Sequence, residues 1–112
     1  MKILDLKTVE KNLFDAGLKS LLCCPGCGED YLHHRTIKVF ERSEDAKTGI
    51  HVVIKGENVA VDTDLAGNPS SRRTGLLIEF YCENCLAIPV LSIEQHKGST
   101  FIEFVAGLAD LR

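Results

Sequence analysis

Two short cysteine pairs are the residues in this chain whose type and spacing could do chemistry. One pair is Cys24 and Cys27 in the sequence CPGC, and the other is Cys82 and Cys85 in the sequence CENC. A C-x-x-C turn presents two sulfur ligands from one tight backbone bend, and two such turns supply the four donors that a tetrahedral Zn²⁺ requires. The spacing therefore predicts one zinc ion bound by these four cysteines.

The separation of the two pairs along the chain indicates what such a metal would do. Fifty-four residues lie between Cys27 and Cys82, whereas compact four-cysteine ribbons have about 15 to 20 at this point. The metal would therefore join two distant parts of one fold. Four thiolates leave zinc no open coordination position, so the pattern predicts a structural site and favours a binding module over a metal-dependent enzyme. A catalytic zinc would require His33 or His34 to replace one cysteine.

Other uses of the cysteines stay open at the level of sequence. A dithiol redox pair needs a helix that starts at the pair and lowers the pKa of one thiol, and neither pair precedes a helical pattern. Burial of the thiols in an apolar core is the remaining alternative. Cys23 is the odd fifth cysteine, which we expect to be a small core residue, although an exchange of ligand roles with Cys24 is also compatible with the spacing.

The elements that must position the cysteines are mostly strands. Residues 5–17 have apolar side chains at helical spacing and predict an amphipathic helix that packs on a sheet. Alternating and β-branched stretches then predict six strands, at 31–41, 51–55, 59–63, 75–82, 89–95 and 100–106. The predicted fold is α+β and mainly β, a zinc-ribbon-like antiparallel sheet of about six strands with one N-terminal helix, in a single zinc-stapled domain over residues 1–112.

Composition restricts the cellular setting and the class of partner. No apolar run approaches the length of about 18 residues that a membrane span needs, and the charged first residues do not resemble a signal peptide. Free thiols grouped as metal ligands indicate a reducing compartment, so we expect a cytoplasmic protein without membrane contact. The 13 basic and 16 acidic residues give a formal charge of −3, which disfavours binding to nucleic acid.

Basic residues near the predicted turns are the candidate partner-binding residues. They occur in three groups, His33 and Arg35 after the first cysteine pair, Arg72 and Arg73 in the loop 64–75, and His96 and Lys97 in the last hairpin turn. Together they would form a basic patch on an acidic protein. The leading hypothesis is an interaction or adaptor module for a protein partner, and the alternative is a module that binds single-stranded nucleic acid. Solvated loop charges with no partner are the third interpretation, and the sequence indicates neither the partner nor the oligomeric state.

The two cysteine motifs resemble the knuckles of zinc ribbons, CPGCG being a usual first knuckle and CENC a common second one. Longer blocks, namely DYLHH, VFERSEDA, GNPSSRRTGLLIEFYCENC and IEQHKGSTFIEF, are similar to small proteins of unknown function from bacteria, phages and mobile elements. This resemblance implies a zinc-bearing, mostly β domain in a mobile-element context. It implies no reaction.

Overall fold

Alternating, β-branched segments separated by short turns form six antiparallel strands. The computed structural model describes residues 21–105. Its strands are β1 (Leu32–Glu41), β2 (Ile50–Lys55), β3 (Asn58–Asp62), β4 (Gly75–Cys82), β5 (Val90–His96) and β6 (Ser99–Phe104). The prediction of a mainly β chain with about six antiparallel strands is confirmed, and each predicted boundary lies within two residues of the observed one. The predicted helix at 5–17 lies outside the described residues.

All six strands form one sheet in the order β3-β2-β1-β4-β5-β6. The three strands on each side of the sheet are consecutive in sequence, and β1 pairs with β4 across the centre from Leu32↔Cys82 to Phe40↔Gly75. Arg35 is the extra residue of a β-bulge in this central pairing. No helix among residues 21–105 is long and apolar enough to cross a membrane.

Tight turns connect the outer hairpins. Gly56 follows β2 with a φ of 63°, and Lys97 occupies the same place after β5 with a φ of 59°. A positive φ at only the first of two turn residues is typical of a type II′ turn, whose twist matches that of the strands. Two hairpin turns, between β2 and β3 and between β5 and β6, are thus present, and the second is the last hairpin turn that the sequence predicts.

The described core lies at the two ends of the sheet. Near the cysteines, Cys24, Cys82 and Pro89 are almost completely buried. At the opposite end, Phe40 is 1% exposed and stacks on His51 with ring centroids 4.5 Å apart. Within residues 21–105 each strand contacts only its neighbours in the sheet, so no second layer of strands covers either face.

The loop between β3 and β4 is closely packed against the sheet. Asn68 donates a hydrogen bond from Nδ2 to the Arg73 carbonyl (2.9 Å), and Ser70 donates one from Oγ to the Gln95 carbonyl (2.6 Å). A Cβ on Gly75 would lie 2.2 Å from Asn68 Oδ1, so only glycine permits this approach. The loop therefore holds the start of β4 beside the end of β5.

Candidate metal centre

The first cysteine turn has a backbone that directs its sulfurs to one side. The N–H of Gly28 donates to the Cys24 carbonyl (2.8 Å), and the Cys24 N–H donates to the Glu29 carbonyl (2.7 Å). Gly28 adopts a φ of 83°, a left-handed conformation that glycine accepts at no steric cost. The N–H of Gly26 donates to Cys24 Sγ (3.3 Å), which stabilises negative charge on that sulfur.

The second cysteine turn repeats the same backbone pattern. The Leu86 N–H donates to the Cys82 carbonyl (3.0 Å), and the Cys82 N–H donates to the Ala87 carbonyl (2.9 Å). Leu86 takes the place that Gly28 has in the first turn and adopts a φ of 63°. A leucine there is unusual, because its Cβ crowds the backbone in the left-handed region. The Leu86 side chain is 74% exposed, so its packing does not offset this backbone strain.

The two turns bring all four sulfurs together. Cys24, Cys27, Cys82 and Cys85 have ligand atoms that all lie within 4.8 Å of one another, so the cluster could hold a metal ion. Two separations join the two turns, at 3.7 Å between the sulfurs of Cys24 and Cys85 and 3.6 Å between those of Cys27 and Cys82. Cys24 and Cys82 are buried, whereas Cys85 is exposed.

Hydrogen bonds and contacts among the sulfurs shift the pKa values of two thiols in opposite directions. A hydrogen bond with the Asn84 side chain, followed by one with the backbone of Glu29, lowers the pKa of Cys27 to about 7. The backbone of Ala87 would lower the pKa of Cys85, but partial desolvation by the surrounding atoms and the three neighbouring thiols outweigh it and raise that pKa to about 12. Four thiolates this close repel one another unless a cation neutralises them. A metal ion that replaces the thiol protons would supply this positive charge.

The remaining candidate ligands lie outside the cluster. Cys23 is exposed, so the expectation that it is a small core residue is wrong, and it does not belong to the group of four sulfurs. His33 pairs through Nε2 with the Glu83 carboxylate and stacks on Tyr81 at 5.1 Å. His34 is not in the cluster either.

The basic residues predicted to bind a partner fall into two groups at opposite ends of the sheet. His33 and Arg35 belong to the end of β1 that pairs with Cys82. Arg72 and Arg73 precede β4 at its other end. The eight residues of β4 separate the two ends by about 24 Å. The last hairpin turn, with His96 and Lys97, lies at the end that carries Arg72 and Arg73, because β5 runs antiparallel to β4.

Half of these six residues are engaged by carboxylates. Arg35 donates from Nε to Glu79 (2.7 Å). Arg72 donates from Nε and Nη2 to the two Asp45 oxygens, at 2.9 and 2.7 Å, and from Nη2 to Glu44 (3.0 Å). With the His33 pair described above, three of the six candidates are paired. Among residues 21–105, Arg73, His96 and Lys97 have no carboxylate partner.

Two features of the site were missed by sequence reasoning. The carboxylates of residues 44 and 45 were not among the predicted site residues, although their proximity to Arg72 follows once β1 and β4 pair in register. The second missed feature is the left-handed backbone conformation of the residue that follows the last cysteine of each turn, Gly28 and Leu86. Gly28 signals it in the first turn, and the equal spacing of the two motifs would have assigned the same conformation to Leu86.

No protein-family model, curated protein sequence or solved structure matches this chain. The candidate site is therefore interpreted from its own geometry.

Exchanging the two residues that follow the second cysteines tests the backbone pattern. Leu86→Gly removes left-handed strain and should increase the free energy of unfolding by up to about 1 kcal/mol. Gly28→Ala introduces the same strain and should decrease it by about 1 kcal/mol. Urea unfolding of the metal-loaded protein measures both. A decrease for Leu86→Gly would contradict the equivalence of the two turns.

The Arg72 pair predicts a pH dependence. Its guanidinium lowers the pKa of Asp45 by hydrogen bonding and charge, so this stabilisation is present above the unfolded-state pKa of about 3.9 and is lost as the pH falls through the folded-state pKa. In Arg72→Ala the pKa of Asp45 should rise toward its ordinary value, as carboxyl NMR titration would measure. Arg35→Ala, which removes the separate pair with Glu79, is the control and should leave the Asp45 titration unchanged.

Proposed function

We propose that this chain is a cytoplasmic interaction module in which a structural zinc ion, bound by Cys24, Cys27, Cys82 and Cys85, holds a β-sheet that presents its surface to a protein partner. The single observation that carries the proposal is the four-sulfur cluster. Two turns with the same backbone hydrogen bonds form it, although 54 residues separate them in the sequence. Five thiols without a disulfide are consistent with a reducing compartment.

The separations between sulfurs support zinc. A tetrahedral ion with Zn–S bonds of about 2.3 Å places its ligands about 3.8 Å apart. Cys24 and Cys85 are separated by 3.7 Å, and Cys27 and Cys82 by 3.6 Å. Four thiolates with a divalent cation form a closed, borderline-soft site that suits zinc better than calcium or magnesium, which prefer oxygen ligands.

The same separations disfavour a dithiol redox function. A C-x-x-C catalyst cycles through a disulfide within one motif, with sulfurs about 2.05 Å apart. Here Cys24 Sγ lies 3.7 Å from Cys85 Sγ and Cys27 Sγ lies 3.6 Å from Cys82 Sγ, so each of these sulfurs contacts the opposite motif. The first turn is followed by bends and then by β1, so no helix N-terminus within the described residues is available to activate a thiol.

Local neutralisation of the basic residues favours a protein partner over single-stranded nucleic acid. Arg72, Arg35 and His33 each contact a carboxylate, so these charges are not available as a continuous patch for phosphates. The formal charge of the chain is −3, and a divalent ion with four thiolates adds two further negative charges. Nucleic-acid affinity depends on counterion release by clustered Lys and Arg, which this distribution does not supply.

Elemental analysis tests the zinc. Freshly purified, reduced protein should contain one zinc per chain, and Cys82→Ser should lose both the metal and the dispersed NMR spectrum of the sheet, because structural zinc contributes on the order of 10 kcal/mol to folds of this kind. Cys23→Ser is the matched control and should retain the zinc. A metal-free wild-type protein with an unchanged melting curve would exclude the structural role.

Binding measurements separate the two partner classes. Anisotropy of labelled single-stranded DNA and RNA should show a Kd no tighter than about 10⁻⁴ M, the weak end of non-specific binding. Capture of a partner by the zinc-loaded protein from a lysate of the source cells should survive nuclease treatment. Tighter oligonucleotide binding that weakens with salt and is lost in Arg73→Ala would favour nucleic acid instead.

A further inference from the structure

The end of the sheet opposite the cysteines has an open cleft of about 450 Å³, a volume in the range of small-molecule sites. It lies where β1 ends, β2 begins and the loop before β4 joins the sheet. Its polar lining consists of two arginines, three hydroxyl residues and one carboxylate: Arg42, Arg73, Ser43, Thr48, Thr74 and Glu41. The cleft is therefore rich in groups that donate hydrogen bonds to an anion.

One buried serine contacts both arginines. Ser70 is 3% exposed. Its carbonyl accepts a hydrogen bond from Arg42 Nη2 (3.2 Å), and its Oγ accepts one from the backbone N–H of Arg73 (2.9 Å). The same Oγ donates to the Gln95 carbonyl (2.6 Å), which ties this arrangement to β5. The fold thus positions the Arg42 guanidinium and the Arg73 backbone in advance, which lowers the entropy cost of binding a ligand.

The carboxylates nearest to these arginines are bound by Arg72. That residue pairs with both Glu44 and Asp45, and Arg42 adds a charge attraction to Asp45 without an ion pair. In the described part of the chain, neither Arg42 nor Arg73 forms an ion pair, and the Nε atom of each is buried without a hydrogen-bond partner. A partly desolvated, unpaired cation attracts an anion more strongly than a fully solvated one does.

Glu41 is the one carboxylate in the lining of the cleft. It is exposed and stands opposite Ile50 at the end of the β1–β2 ladder. Its negative charge reduces the formal charge of the lining from +2 for the two arginines to +1. Because like charges repel, Glu41 weakens the binding of an anion here, so its neutralisation should strengthen that binding.

We propose that this cleft binds a phosphate group through the guanidinium groups of Arg42 and Arg73. A phosphate monoester has a charge of about −1.5 to −2 at neutral pH and three strong acceptor oxygens. Two guanidinium groups and three hydroxyl groups offer many donors, which suits an anion with more acceptor oxygens than a carboxylate has. The site is discrete and needs no continuous basic patch. The inference does not rest on the zinc or on a protein partner.

Titration of the full, metal-loaded chain with inorganic phosphate tests the site. At neutral pH and constant ionic strength, the amide NMR shifts of residues 41–50 and 70–75 should change with a Kd of about 1 mM or tighter. Arg73→Gln should weaken this Kd about tenfold or more, because it removes a charged hydrogen-bond donor. Glu41→Gln should tighten it about threefold, because it removes a repulsive charge.

Lys55→Gln is the matched control. It removes the same charge as Arg73→Gln from an exposed residue at the far end of β2, about 17 Å from the cleft. Because that distance exceeds the screening length of about 8 Å at physiological salt, the Kd should change less than about twofold. The gain of affinity in Glu41→Gln tests the site independently of any loss of stability in the other variants.

Two further probes identify the ligand. O-phosphoserine that binds more tightly than inorganic phosphate would assign the site to a phosphorylated side chain, and the opposite order would assign it to free phosphate. Both results support the site. Acetate should bind about tenfold more weakly than either, because it has less charge and fewer acceptor oxygens. Equal affinity for acetate would contradict phosphate as the ligand class.

Three results would overturn the proposal. Unchanged amide shifts at about 20 mM phosphate, twenty times the expected Kd, exclude the site. Equal weakening by Arg73→Gln and Lys55→Gln would show a response to net charge alone. Weaker binding by Glu41→Gln would show that the anion does not lie beside this carboxylate.

Discussion

The pairing of β1 with β4 is the constraint on which the rest of the structure depends. Every other pair of neighbouring strands is joined by a chain segment that runs directly from one to the next, whereas β1 and β4 are separated by β2, β3 and a long loop. Closing that loop costs conformational entropy before the central strands gain their hydrogen bonds. Among the six described strands, β1 and β4 make the only strand-to-strand contact between the two three-strand halves of the sheet.

Both ends of the central pairing are joined by specific contacts outside the ladder. At one end, the cysteine turn before β1 meets the cysteine turn after β4. At the other end, Asp45 follows β1 and Arg72 precedes β4, and the Asp45 N–H donates to the Arg72 carbonyl (2.7 Å) beside the ion pair of their side chains. Arg72, which the sequence indicated as a partner-binding residue, therefore has a structural role that its charge alone did not reveal.

The contrast between what the sequence predicted and what it did not has a physical origin. Strands and cysteine turns are local, because alternation and C-x-x-C spacing act over a few residues, and these predictions agree with the structure. Which ends of the strands meet is a property of register, which depends on pairing between distant residues. Residues 33 and 35 were grouped with residues 72, 73, 96 and 97 by charge, and the antiparallel run of β4 places the two sets at opposite ends. The helix predicted at 5–17 lies outside residues 21–105.

Register also explains a feature that was invisible in the sequence, a row of apolar residues that crosses all six strands on one face, from Val61 on β3 through Val39 and Leu76 to Ile102 on β6. Each strand has apolar residues at alternate positions, and in β2 and β4 residues such as Val53 and Leu77 make the positions between them apolar as well. This pattern does not say whether the apolar sets of neighbouring strands share a face. The observed pairings put all six sets on one face, and a one-residue slip of β4 against β1 would divide them between both. The contacts at the two ends of the central pairing, between the two cysteine turns and between Arg72 and Asp45, fit this register, so they agree with the ladder in keeping the apolar sets on one face.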